Sequence, residues 1–177
     1  MGFIEANDLL NLDISRDMHT HPFEKCHSME AMEAFVFRAI ELGLKEIAFT
    51  DHAPMNECLG AKHVMSMNDM DRYYKFSREL QEKYKNTIKI AVGIEADYHP
   101  QNISMIEKLK KEYPFDFIIG SLHLHTPPWK NAINSLTSAE LADFSIKQLL
   151  DLVNSGLFDV LAHFDRFRQV FYIQRSA

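Results

Sequence analysis

The chain has 177 residues, of which 46% are hydrophobic and 25% charged, and this composition is typical of one globular domain rather than a disordered or fibrous chain. Its formal net charge of −6 argues against binding to nucleic acid or anionic membranes, and no apolar run approaches the ~20 residues of a membrane span. With two cysteines and no secretory signal, we expect a cytoplasmic protein without a disulfide framework.

Five short apolar runs, rich in β-branched or aromatic residues, predict strands. They are residues 12–15, 46–50, 88–94, 115–120 and 158–162. Helical segments lie between them, so the sequence predicts an α/β fold with a parallel sheet or barrel, in one domain over residues 1–177.

Four helices are predicted from a 3.6-residue apolar period together with capping residues, glycines and prolines. Their predicted limits are Ser28 to Gly43, Asn68 onwards, Pro100 to Pro114, and Thr137 to Gly156. In the fourth helix we expect the core-facing stripe to be Leu141, Phe144, Leu149 and Val153.

Each predicted strand is followed by histidines or acids, and in parallel α/β folds chemistry collects at the carboxyl ends of the strands. In chain order these residues are Asp17, His19 and His21, then Asp51 and His52, then Glu95 and Asp97, then His123 and His125, then His163 and Asp165. A random placement of nine histidines would rarely give this arrangement, so the sequence predicts a site at that rim.

The residue types at the rim favour a metal site. Imidazole and carboxylate ligands suit Zn²⁺, Fe or Mn²⁺ without a thiolate. A carboxylate on a central strand can bridge ions ~3.5–4 Å apart, and Glu95 is the candidate. Alternatives stay open for other residues: Asp51 as the orienting partner of His52, and His125 as a ligand or a neighbour of one.

The remaining histidines and cysteines carry weaker signals. His63 and His99 lie in or beside loops and are interpreted as solvated. Cys26 lies beside His27 and is interpreted as a loop cysteine, while Cys58 is assigned to packing.

In this order the motifs resemble those of the polymerase-and-histidinol-phosphatase (PHP) superfamily, most closely its histidinol-phosphate phosphatases. The resemblance covers residues 13–168 and rests on "DMHTH", His27, "TDHAP", "GIEADY", "GSLHLH" and "LAHFD". It implies a distorted seven-stranded (β/α) barrel with up to three divalent ions at its carboxyl rim. The ligand sets it implies are His19, His21 and Glu95 for one ion, His27 and His52 for a second, and Glu95, His123 and His163 for a third.

Family members continue to a late Asp-x-His motif that completes the first two sites, whereas this sequence ends at "FRQVFYIQRSA". We therefore expect a truncated chain with about five of seven β/α units and an open or incomplete barrel. Its first and fifth strands would have unpaired edges, which could pair with a second copy in a homo-oligomer.

The resemblance implies a metal-dependent phosphomonoester hydrolase in which an activated water attacks phosphorus, with histidinol phosphate the favoured small substrate. Arg166 or Arg168 is the candidate to bind the phosphate, Asp51 or Asp165 the candidate to handle protons, and residues 53–69 a candidate lid. The alternatives are a phosphoesterase for nucleotides or another small phosphoester, and an inactive or oligomer-dependent metal-binding remnant.

Overall fold

The protein, described by a computed structural model over residues 14–24, 27–62 and 64–166, is built around a sheet of five strands. The strands are β1 Arg16–Thr20, β2 Glu46–Phe49, β3 Lys89–Asp97, β4 Phe117–Ser121 and β5 Val160–Leu161. They lie in the order β1-β2-β3-β4-β5, and every neighbouring pair is parallel. The strands curl into a half-barrel, which confirms the prediction of an incomplete α/β barrel.

Five α-helices accompany these strands in the described part of the chain. They are α1 Met29–Glu41, α2 Met67–Tyr84, α3 Ile103–Glu112, α4 Pro127–Ile133 and α5 Ser138–Asn154, with 3₁₀ turns at Glu57–Leu59 and Pro100–Asn102. The four predicted helices are confirmed, whereas the short α4 was not predicted. None of the described helices is long and apolar enough to cross a membrane.

The helix ends follow local chemistry. The Ser28 side chain accepts a hydrogen bond from Ala31 N at the start of α1, and Thr137 and Glu140 form a reciprocal capping box at the start of α5. Gly43 has φ +72°, the left-handed conformation that commonly follows a helix and that glycine adopts without steric cost.

The strand limits differ from the predicted runs. β1 begins at Arg16, beyond the predicted run 12–15, whose first two residues lie outside the described part of the chain. β3 continues to Asp97, so Glu95 lies within the strand rather than after it, and β5 is only two residues long. β1 is an edge strand of the described sheet and pairs only with β2. Because no described strand covers its other side, polar residues are tolerated there.

The larger apolar core lies between the sheet and helices α1 to α3 and includes the fully buried Phe23, Phe49, Met70, Tyr73 and Leu80. Each such side chain contributes roughly 1.5–3 kcal/mol by leaving water.

A second core lies under α4 and α5. Its largest member is Trp129, and the buried face of α5 consists of Leu141, Ser145, Gln148 and Leu152. The predicted stripe was therefore wrong at Val153, which is 58% exposed.

Candidate metal centre

The carboxylate of Glu95 lies at the centre of a cluster of histidine rings and is only 1% exposed. Its two oxygens are approached by five imidazole nitrogens, which come from the ends of the other four strands. Around Oε2 these are His19 Nε2 at 3.0 Å, His21 Nε2 at 3.2 Å and His52 Nδ1 at 3.4 Å, and around Oε1 they are His163 Nε2 at 3.0 Å and His123 Nε2 at 3.6 Å.

The sheet register explains why these groups converge on Glu95. Glu95 N donates to Asp51 O at 3.0 Å, and Ala53 N donates to Glu95 O at 2.8 Å, which fixes His52 beside Glu95. On the other side, β4 pairs with β3 from Gly93 to Asp97 and brings the histidines that follow β4 to the same edge. Parallel strands with this register place their carboxyl ends side by side.

The electrostatics of the cluster keep Glu95 ionised. Burial acts to raise the pKa of its carboxyl group, but hydrogen bonds from His163, His19 and His21 outweigh burial and hold that pKa far below its usual range. For His21, burial acts to lower the pKa, and the hydrogen bond and charge of Glu95 outweigh it, so the His21 pKa is raised.

The first group of potential metal donors consists of His19, His21 and Glu95. His19 Nε2 and His21 Nε2 are 3.2 Å apart, and their distances to Glu95 Oε2 are 3.0 and 3.2 Å. Ligands of a tetrahedral Zn²⁺ ion at ~2.0–2.1 Å from the metal stand about 3.3 Å from one another. The triangle therefore fits one face of such a coordination shell, and the His19 side chain, 32% exposed, borders solvent.

The second donor group contains His52, Glu95, Asp97 and His123. Burial lowers the pKa of His52 to about 4, so its ring is neutral at pH 7, the form that binds metal ions. His163 lies within hydrogen-bonding distance of the same carboxylate at Oε1. The donor set, neutral imidazoles with a shared carboxylate, suits a divalent ion of the zinc type.

His27, predicted as a ligand of another ion, stands apart from both donor groups. Its Nδ1 lies 3.2 Å from Asp69 Oδ1 on α2, and its Nε2 lies 3.1 Å from the carbonyl oxygen of Glu24. His27 and His52 do line the same cavity of about 190 Å³, together with Asp51. Their assignment to one ion stays a prediction.

The residues predicted to carry protons or to bind phosphate differ in burial and in their contacts with the cluster. Asp51 is fully buried, and its Oδ1 accepts hydrogen bonds from Phe23 N at 3.0 Å and Glu24 N at 2.8 Å. Burial raises its pKa to about 7. Arg166 Nη1 donates to His123 Nε2 at 2.8 Å, whereas Asp165 is exposed and belongs to neither donor group.

Two polar residues near the centre were not assigned a role from the sequence. Asp97 and Ser121 are buried, paired across β3 and β4, and hydrogen-bonded to each other. The spacing of Glu95 and Asp97 was the available signal, because residues i and i+2 of a strand point to the same face.

The interpretation of His99 as a solvated residue was wrong. His99 is only 9% exposed, its ring packs on Trp129 with centroids 4.5 Å apart, and its Nδ1 accepts a hydrogen bond from Gln101 N. Burial lowers its pKa. His125 is exposed, and its ring contacts His123 edge-on with centroids 5.6 Å apart. The sequence predictions for Cys26, His63 and Arg168 lie outside the described residues.

The segment predicted as a lid borders the centre. Ten described residues between Pro54 and Met67 line most of a cavity of about 650 Å³, whose walls include four methionines and the exposed Cys58. Val64 and Met65 line both this cavity and the smaller one at His27 and His52, so the two adjoin.

Comparison with known proteins gives a consistent result. The sequence profile of the PHP domain matches residues 17–176. A Deinococcus radiodurans protein named "Probable histidinol-phosphatase" is 26% identical over 160 residues, and the histidinol-phosphatase of Lactococcus lactis is 33% identical over 107 residues. These alignments cover 84% and 60% of this chain.

A solved structure shares the fold. The histidinol phosphate phosphatase of Lactococcus lactis, crystallised with zinc, L-histidinol and phosphate, superposes with a TM-score of 0.68 at 26% identity over 87% of this chain. The present chain spans 60% and 38% of the two sequence relatives and 59% of the solved structure.

Proposed function

The chain belongs to the PHP domain family, and on that premise we propose that it forms a single metal-dependent phosphomonoester hydrolase domain, with histidinol phosphate as its favoured substrate. The observation that carries the proposal is the buried, ionised Glu95 carboxylate with five imidazole nitrogens within 3.6 Å of its oxygens. A carboxylate in a structural ion pair needs only one imidazole partner, so five imidazole nitrogens around Glu95 indicate a site for cations.

The residues divide into three proposed ligand sets. His19, His21 and Glu95 would hold one divalent ion, and Glu95, His123 and His163 another. His27 and His52, which line the adjoining cavity, would contribute to a third. When bound, zinc, manganese or iron would neutralise phosphoryl oxygens and activate a water molecule.

The chain's own residues supply the remaining functions. Arg166, whose guanidinium lies 2.8 Å from His123 Nε2, would bind the phosphate through two parallel N–H donors. Asp51, with a pKa raised to about 7, is the better of the two predicted proton carriers, because a group of that pKa exchanges protons efficiently near neutral pH. Asp165 is exposed and is the weaker candidate.

The test is phosphate release by the purified chain with added Zn²⁺ or Mn²⁺, using L-histidinol phosphate, a nucleoside monophosphate and a simple aryl phosphate. Preference for L-histidinol phosphate, with turnover abolished in His19→Ala and Glu95→Gln, supports the proposal. The control variant is Asp159→Asn, which alters a carboxylate bonded to Ile118 N at the opposite end of β4 and should retain turnover. Faster turnover of the nucleotide would instead favour the nucleotide alternative.

A second candidate is a metal-binding remnant that works only as an oligomer. Ile146, Leu150 and Val153 form an exposed apolar stripe on α5, and β5 is an edge strand of the described sheet. We expect a second copy to cover this face, because exposed strand edges and apolar stripes favour association.

Light scattering with metal counting separates the two candidates. A dimer that Leu150→Glu converts to monomer, with loss of bound zinc, supports the oligomer-dependent form. An active monomer excludes it. The partners expected from the sequence, a small phosphoester and neither nucleic acid nor membrane, and the cytoplasmic location stay predictions.

A further inference from the structure

A buried polar network lies at the Nδ1 edge of the His123 ring. Asp97 Oδ1 accepts a hydrogen bond from His123 Nδ1 at 2.5 Å and another from the Ser121 hydroxyl. All three side chains are at most 2% exposed. Asn102 Nδ2 donates to the carbonyl oxygen of Asp97 at 3.2 Å and holds the end of β3 in place.

The two neighbours of the His123 ring determine which nitrogen carries the proton. An ionised carboxylate only accepts hydrogen bonds, so Nδ1, which faces Asp97, must carry a hydrogen. A guanidinium only donates, so Nε2, which faces Arg166 Nη1 at 2.8 Å, must present its lone pair. The ring is therefore the neutral tautomer with its lone pair on Nε2, 3.6 Å from Glu95 Oε1.

We propose that Asp97 is the positioning residue that fixes His123 in this tautomer and aims its Nε2 at the cation site on Glu95 Oε1. The inference rests on the proposed metal site. A carboxylate that accepts from the second ring nitrogen also makes the ligating nitrogen more basic, and losing such a partner commonly weakens metal binding by roughly 10–100-fold.

The competing role for Asp97 is that of a direct ligand, since its carboxylate lies within 4.8 Å of donor atoms of His52, Glu95 and His123. The geometry disfavours this role. Asp97 Oδ1 lies against Nδ1, on the opposite side of the imidazole from Nε2, and is already engaged by two donors. Because its lone pairs are engaged by those two donors, that oxygen is poorly placed to ligate an ion held by His123 Nε2 and Glu95.

The experiment combines nuclear magnetic resonance with zinc titration. Long-range ¹H–¹⁵N correlation spectra of the metal-free, ¹⁵N-labelled chain report which nitrogen of His123 is protonated, with the signal assigned from His123→Gln. Zinc affinity is measured by competition with a chelating dye, and zinc per chain at saturation by elemental analysis. Asp97→Asn is compared with Asp159→Asn, whose carboxylate bonds a backbone N–H at the other end of β4.

We expect the wild-type ring to carry its proton on Nδ1, and Asp97→Asn to show a smaller excess of that tautomer, because Arg166 still donates to Nε2 while the amide is a weaker acceptor than the carboxylate. In that variant the zinc Kd of one site should rise roughly 10–100-fold while zinc at saturation stays unchanged. Asp159→Asn should leave the tautomer and zinc Kd as in the wild type.

Three results overturn the inference: a wild-type His123 protonated on Nε2, a wild-type zinc Kd in folded Asp97→Asn, or loss of an ion at saturation, which would make Asp97 a ligand. The first result is measured on the wild-type protein, so it tests the inference even if the variant fails to fold. If the chain hydrolyses no phosphoester but shows the expected tautomer and zinc affinities, the proposed function is refuted and the inference about Asp97 still stands.

Discussion

Replacing Asp51 by asparagine should stabilise the metal-free protein at alkaline pH. Asp51 is fully buried, and its Oδ1 accepts from Phe23 N and Glu24 N, two bonds that an asparagine oxygen can keep. Its Oδ2 is buried without a hydrogen-bond partner among the described residues. The substitution thus removes a buried charge while retaining the shape and the useful acceptor.

The magnitude follows from the pKa of Asp51, which burial raises from 3.8 to about 7, against the opposing effects of His21 and the two backbone N–H groups. Because the folded state binds this proton more tightly than the unfolded state, the stability contribution is complete below pH 3.8 and is lost as pH rises through about 7. The total loss is about 4 kcal/mol at 1.36 kcal/mol per pKa unit. Between pH 5.5 and 8 the wild type should lose about 2 kcal/mol from this group.

Urea unfolding in the presence of a chelator, at pH 5.5 and pH 8, measures the effect. The free energy of unfolding of Asp51→Asn should exceed that of the wild type by about 2 kcal/mol more at pH 8 than at pH 5.5. Asp165→Asn, in an exposed turn, is the control and should behave as the wild type at both pH values. A gap that stays constant or narrows as pH rises would refute the reasoning. If Asp51 also carries protons in the reaction, the stabilised variant should have a reduced turnover number.

Three further substitutions test other parts of the structure. Glu95→Gln should raise the zinc Kd by at least roughly 100-fold, because both donor groups share this carboxylate; elemental analysis and dye competition measure it. Arg166→Ala should lower the zinc Kd by roughly 10-fold, because it removes a positive charge and the donor to His123 Nε2, and should weaken inhibition by inorganic phosphate. Gly120→Ala should cost roughly 1–3 kcal/mol in urea unfolding, because its Cβ would stand 2.6 Å from Phe158 Cγ.

Each of these expectations has a contrary outcome. Full zinc binding by Glu95→Gln would move the cation site away from that carboxylate. Weaker zinc binding in Arg166→Ala would mean that the guanidinium supports the site rather than competing for it. A fully stable Gly120→Ala protein would mean that Phe158 does not pack on β4 as described.

The fold could be predicted where local chemistry decides it. Ser28 and the Thr137–Glu140 pair are capping signals that need no tertiary contact, and both helices begin where those signals lie. The buried face of α5 could not be predicted in the same way, because the predicted stripe and the observed buried face of this helix are offset from each other by only one residue. Gly120 decides between them: its missing side chain leaves room on β4 for Leu152, and Val153 then faces outward.

The convergence of the candidate site residues was predictable from the rule that strand ends share an edge, but the contacts that each residue makes there were not. The rule predicted that His19, His123 and His163 lie close together, but it gave no distances between their atoms. It could not show that Asp69, on α2, is the partner of His27, because that contact depends on how α2 packs. His99 was misread because its burial comes from Trp129, on a helix that the sequence did not reveal.

The balance of charge at the centre links the proposed metal site to the proposed phosphate substrate. Nearly all of the converging donors are imidazoles, and the two carboxylates beside them are Glu95 and Asp97. The two divalent ions proposed to share Glu95 would bring four positive charges against two negative ones, and because Glu95 is 1% exposed, little water is available to screen them. A dianionic phosphoryl group restores neutrality, so its affinity should depend on the metal: inorganic phosphate should bind the zinc-loaded chain and not the metal-free one in a calorimetric titration. Equal phosphate binding with and without zinc would mean that Arg166 and other cations of the chain, rather than the ions, attract the substrate.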